Sequence, residues 1–102
     1  MTSEREQKYA DMLKAMVLAS FADEPCRIFL FGSRARGTAR RSSDYDIGFT
    51  SISRDKLVRK TAVLNAMIEE SIIPHSVDWV LFDETDPSFR MIAEEDVIIW
   101  KK

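Results

Sequence analysis

The chain has 102 residues, 45% of them apolar and 31% charged, with a formal net charge of -2. That is the length and balance of one globular domain, residues 1–102, with room for a core but not for a second domain. The charge excludes a general attraction to nucleic acid or to an anionic membrane, so any phosphate binding must come from local basic groups or backbone N–H groups.

Met1 to Ala10 is polar and carries Glu4, Arg5, Glu6 and Lys8, unlike a signal peptide. Ser3 and Glu6 have the S-x-x-E form of a capping box, which satisfies free N–H groups at a helix start. Met12, Leu13, Met16, Val17 and Phe21 then recur at spacings of three and four, giving a helix from about Glu4 to Ser20 with one apolar face. The longest wholly apolar run, Ala15 to Ala19, is far short of a membrane span. Pro25 closes this stretch. Cys26 is the single cysteine, so no internal disulfide framework is possible. It reads as a small core residue in a reducing compartment, and a cytoplasmic location is expected.

Arg27 to Phe31 is short and apolar, a buried strand ended by Gly32. Ser33 to Arg36 starts a short helix that Gly37 terminates. Thr38 to Ser43 is a polar, basic loop, and Tyr45 to Thr50 is a second strand. Ser53 caps a helix in which Leu57, Thr61, Leu64, Ile68 and Ile72 trace one stripe, stopped by Pro74. Val77 to Phe82 is a third strand, apolar except for Asp78. Asp86-Pro87 sets a carboxylate before a proline at the first helical position. Phe89, Ile92 and Ala93 give the following short helix one face. Asp96 to Lys101, with the apolar run Val97-Ile98-Ile99-Trp100, is an edge strand or a docked tail. The order of elements predicts one sheet covered by helices, and Trp79 and Trp100 are expected in or near its core.

Four features carry possible chemistry. Gly32-Ser33 follows a strand and opens a helix, a geometry that presents N–H groups and a positive dipole end to an anion. Gly32 lacks the Cβ that would hold a phosphate away, and Ser33 adds a hydroxyl donor. The alternative is a simple turn glycine. The two glycines, Gly32 and Gly37, have Walker A spacing, but Thr38-Ala39 stands where the lysine and hydroxyl residue are required, so a P-loop is excluded. No G-x-G-x-x-G occurs.

The second feature is the basic set Arg34, Arg36, Arg40 and Arg41, suited to phosphate or simply solvated. The third is Asp44 and Asp46, which a period of two projects from one face of a strand. They are either solvated surface acids or a pair whose mutual repulsion a cation relieves. Magnesium suits such a site, since it takes one or two carboxylates plus phosphate oxygens and water. Two such ions about 4 Å apart can activate an attacking oxygen and stabilise a leaving one. The fourth is Asp78, a carboxylate in the middle of an apolar strand, which needs a partner because burying it unpaired is costly. An arginine, a metal ion or a role as base would supply one. His75 has no second histidine with which to build a metal site and reads as structural or exposed.

Together, Phe31-Gly32-Ser33-Arg34-Ala35-Arg36-Gly37, Ser43-Asp44-Tyr45-Asp46-Ile47-Gly48 and Val77-Asp78-Trp79-Val80 closely resemble the minimal nucleotidyltransferases of the polymerase-β nucleotidyltransferase superfamily. The resemblance spans nearly the whole chain. It implies an α/β (α+β) nucleotidyltransferase fold, with a central mixed sheet of three to four strands and helices packed against it. It also implies that Asp44, Asp46 and Asp78 are catalytic and metal-binding, and that Gly32, Ser33 and Arg36 bind nucleotide. The implied reaction is attack of an acceptor hydroxyl on the α-phosphate of a nucleotide, with Mg2+ (two ions) as cofactor and ATP as substrate.

Minimal members resemble antitoxins encoded beside a HEPN-type toxin, whose tyrosine is the implied acceptor of AMP. The HEPN signature itself is absent from this chain, which reads as the transferase partner. Two other functions stay open: a contact-only antitoxin, and transfer to a small molecule or RNA. One small domain leaves little surface for an acceptor pocket, so a partner chain or self-association is expected to supply it. Net acidity disfavours nucleic acid as a direct partner.

Overall fold

A computed structural model describes residues 4–40, 43–93 and 95–102. Ser3 of the expected capping box and Arg41 of the basic set lie outside the described residues, as do the side chains of Ile92 and Ala93. The chain runs α1 (Glu4–Ser20), β1 (Arg27–Phe31), α2 (Ser33–Arg36), β2 (Tyr45–Thr50), α3 (Arg54–Glu70), β3 (Val77–Leu81), a 3₁₀ turn (Phe82–Glu84), α4 (Pro87–Ala93) and β4 (Ile98–Lys101).

The four strands form one mixed sheet in the order β3-β2-β1-β4. β1 is antiparallel to both of its neighbours, β2 and β4, while β2 and β3 are parallel, with α3 between them in the chain. The C-terminal apolar segment is thus an edge strand, not a docked tail. Its pairing with β1 slips between Ile28 and Phe29, a local irregularity.

Alternation divides the sheet into two unequal faces. Ile28, Leu30, Tyr45, Ile47 and Phe49 point to one face and join Leu13, Val17 and Phe21 from α1 and its end with Leu57, Leu64 and Ile68 of α3 in the main core. Phe21 and Phe49 sit with ring centroids 4.8 Å apart. Cys26 is fully buried in this core, and Trp79 and Trp100 pack half-buried against it.

The other face carries a smaller aromatic layer of Phe29, Phe31 and Phe82, with Val80, Val97 and Ile99 packed on it. Phe82 meets Phe29 and Phe31 edge-on at 4.7 and 4.9 Å, the geometry that aromatic quadrupoles favour. Gly48 makes this layer possible, because a Cβ there would lie 2.6 Å from Phe29 Cζ and 2.8 Å from Phe82 Cε1.

Local signals account for most boundaries. Ser53 caps α3 by accepting from the Lys56 N–H. Asp86 accepts from the Ser88 N–H at 2.7 Å ahead of Pro87. Gly37 ends α2 in the left-handed region, with φ 78°.

Two sequence expectations need correction. The α3 stripe does bury Leu57, Thr61, Leu64 and Ile68, but the helix stops at Glu70 and Ile72 is 59% exposed. Beyond the helix the chain leaves the 3.6-residue period, and Ile73 takes the inward position at 6% exposure. Phe82 likewise lies outside β3. It opens the 3₁₀ turn, which swings its ring under the sheet.

Candidate active site

The site lies on the thinly covered face, where the C-terminal end of β1 meets the N-terminal ends of β2 and β3. Antiparallel register sets Phe31 opposite Asp46, and parallel register sets Asp46 opposite Asp78. Residues paired across adjacent strands project to the same face, so the two carboxyl groups stand side by side. Asp44 shares their parity two residues upstream and is exposed.

Gly32 follows Phe31 directly and is therefore beside Asp46. Its φ of 76° is a conformation that residues with a Cβ rarely adopt. A Cβ there would also collide with Asp46 Oδ2. Glycine is required twice over, by the turn and by the carboxylate packed against it. From Gly32 the chain enters α2, and the Ala35 and Arg36 N–H groups both close onto the Gly32 carbonyl at 3.1 Å. Ser33 is the first residue of that turn of helix.

The electrostatics follow from this crowding. The Asp46 carboxyl is held above its ordinary range, first by burial and then by the charges of Asp78 and Asp44. A hydrogen bond with Asp78 acts in the same direction, while the Arg36 guanidinium pulls the other way. Asp46 is thus a half-buried acid among acids.

Asp78 differs from its sequence expectation. It is exposed, not enclosed by its apolar neighbours in β3. The strand is at the sheet edge, and α3 packs on its other face against Trp79, whose Nε1 donates to Asn65 Oδ1 at 2.9 Å. Asp78 therefore needs no burial partner, and its relation to Asp46 is what distinguishes it.

The basic residues separate. Arg36 is near enough to Asp46 to act on its charge. Arg34, expected among the phosphate-binding groups, turns to the opposite face. Its Nη2 donates to the Ser43 carbonyl at 2.7 Å, and its guanidinium carbon lies 4.4 Å from the Tyr45 ring centroid. Arg40 is exposed, and its backbone N–H donates to Ser43 Oγ at 2.9 Å.

His75 has more company than the sequence indicated. It lies edge-on to Tyr9 and Tyr45, with centroids 5.9 and 5.5 Å away, and burial and then Arg34 hold its pKa below the usual histidine value. Its place before β3, between two aromatic residues distant in sequence, gave no local pattern by which to find this cluster.

Among the described residues no three His, Cys, Asp or Glu side chains form a ready-made metal-holding group. The donor set is instead a close pair, Asp46 and Asp78, with Asp44 upstream. That set fits magnesium, which needs only one or two protein carboxylates when phosphate oxygens and water complete its shell. The raised Asp46 carboxyl fits it as well, since a cation would offset both the burial and the neighbouring charges that raise it.

The nucleotidyltransferase domain family pattern matches residues 11–99. The chain belongs to this family. No curated protein matches the sequence of this nucleotidyltransferase domain. Its fold is similar to a crystal structure of a toxin-antitoxin with AMP-PNP, with a TM-score of 0.64 and 18% identity over 85% of this chain and 71% of that one. A mutant of the toxin-antitoxin MntA-HpeT gives a TM-score of 0.63 and 17% identity over the same shares. A candidate nucleotidyltransferase from Sulfolobus solfataricus gives 0.54 and 24% identity, over 94% of this chain and 86% of that one. At these identities the likeness is one of fold. Among the described residues, no helix is long and apolar enough to cross a membrane.

Proposed function

We propose that this nucleotidyltransferase domain is the antitoxin of a toxin–antitoxin pair and moves AMP from ATP to a hydroxyl, the tyrosine of a HEPN-type toxin partner. The observation that carries the reading is the register that sets Asp46 against Asp78 directly beside Gly32. On this reading, acids for a divalent cation and a helix-opening turn for phosphate share one spot. The solved toxin–antitoxin structures support the partner, one of them crystallised with AMP-PNP. In the other, two aspartates two residues apart were exchanged for glutamate, the spacing of Asp44 and Asp46 here.

In this reading Asp44, Asp46 and Asp78 hold Mg2+, which neutralises charge developing on the phosphates. Gly32 lets the turn that would receive the triphosphate pack directly against the Asp46 carboxylate, and Ser33 and Arg36 donate to the phosphate oxygens. The acceptor oxygen forms a bond to the α-phosphorus as the bond to the bridging oxygen of pyrophosphate breaks. An acid of the trio takes the hydroxyl proton; Asp78, exposed and opposite Asp46 in the register of β2 and β3, is placed for it. Because the partner brings the acceptor, the chain's main task is positioning and charge stabilisation.

The test incubates the protein with labelled ATP, Mg2+ and the product of the neighbouring gene. Label should map to a partner tyrosine. Asp44→Asn and Asp46→Asn should each lower transfer by a hundredfold or more, on the order of lost catalytic electrostatics, with folding intact. Full labelling by both variants would sink the proposal. Toxin neutralisation by unlabelling variants would instead establish a contact-only antitoxin.

A further inference from the structure

We propose that Arg34 is a positioning residue that locks the Gly32-Ser33 turn to the backbone bearing Asp44 and to the approach to β3, acting from the reverse face of the sheet. This rests on the nucleotidyl-transfer reading above, since it concerns the same site.

Arg34 follows Gly32-Ser33 in α2, so its backbone moves with that turn. Its side chain crosses to the other face. There Nη2 donates to the carbonyl of Ser43, the peptide that leads into Asp44, at 2.7 Å, and reaches the Arg40 carbonyl at 3.4 Å. The guanidinium lies over the ring of Tyr45, the residue between Asp44 and Asp46. Tyr45 is 2% exposed, so the surface beneath the guanidinium is fixed.

The same Nη2 is 3.4 Å from Nδ1 of His75, three residues before Asp78. Burial keeps His75 neutral more readily, which leaves that nitrogen able to accept. The Tyr45 N–H completes the link by donating to the Ser76 carbonyl at 3.0 Å. One planar side chain thus touches the segments that carry all three acids while lying on the side away from them. A lysine, with one point charge and no plane, cannot make this set of contacts.

The test measures binding of a non-hydrolysable ATP analogue as Mn2+ is titrated, for wild type, Arg34→Lys, Arg34→Gln and Arg36→Gln. In both Arg34 variants the Mn2+ midpoint should rise roughly tenfold or more, as for other residues that orient metal ligands, and saturating Mn2+ should restore analogue binding. Arg36→Gln should weaken binding at every Mn2+ concentration. Arg34→Lys behaving as wild type overturns the inference, and so does a loss in Arg34→Gln that Mn2+ does not restore.

If the Arg34 variants do not fold, Tyr45→Leu removes the ring beneath the guanidinium and should shift the midpoint in the same way; no shift overturns the inference. Wild type that binds no analogue at all would count against nucleotide transfer. Amide exchange without ligand then decides the lock separately. Faster exchange at Ala35, Arg36 and Tyr45 in Arg34→Lys supports it, and unchanged exchange overturns it.

Discussion

Asp46 experiences opposing demands. It is partly buried, flanked by Phe31 in the register of β1, and set against two further carboxylates, with Arg36 as its counterweight. Its carboxyl is raised in the folded chain, so its contribution to stability is fully present below the ordinary value of 3.8 and is lost as pH rises through the raised value. Without divalent cations, the wild type should therefore lose stability across that window. Asp46→Asn keeps a polar group for Asp78 but carries no charge. It should be the more stable protein at neutral pH, and the difference should vanish toward pH 3. Urea midpoints across pH in chelator check this; a variant less stable at pH 7 would show that the charge on Asp46, buried beside two other acids, does not cost the fold stability.

The elements differ in how far sequence alone reveals them. The Asp44/Asp46 parity, the glycine turn and the apolar stripes of α1 and α3 are local patterns of two and 3.6 residues, and they were legible. What a strand or side chain faces is set by neighbours remote in sequence. For that reason Asp78 emerged as exposed on an edge strand, and Arg34 turned away from the basic set. His75 joined Tyr9 and Tyr45 unannounced. The end of α3 is a further instance: an apolar repeat continues through Ile72, yet the backbone leaves the helix at Ser71, whose N–H closes onto the Ile68 carbonyl at 3.1 Å. Ile73→Ala should cost about 2–5 kcal/mol, as for other buried isoleucines. Ile72→Ala should stay within about 0.5 kcal/mol. Denaturant unfolding of the two variants compares them, and equal losses would mean that the helix runs on and buries both.

At the scale of the molecule, the two faces of the sheet divide the work. α1 and α3 close one face over most of the core. Among the described residues the other is covered by the aromatic layer, with Val97 and Ile99 packed on it, and by the Phe82–Ala93 segment, where Phe89 is still 45% exposed. The candidate site occupies the end of that face, where a bound ligand would join β1, α2, β2 and β3. Binding there stabilises the native state alone, by about 2.7 kcal/mol at a concentration a hundred times Kd. For a domain near 100 residues each kcal/mol moves Tm by roughly 4–8 °C. Mg2+ with an ATP analogue at that excess should therefore raise Tm by on the order of ten degrees, and chelation should reverse it. Asp46→Asn should lose most of the rise even though it starts from a higher Tm in chelator. These two opposite effects of one substitution separate a cation site from a merely strained acid. Thermal scans of wild type and variant, with and without ligand, measure both, and a rise that survives in Asp46→Asn would place the ligand elsewhere on the protein.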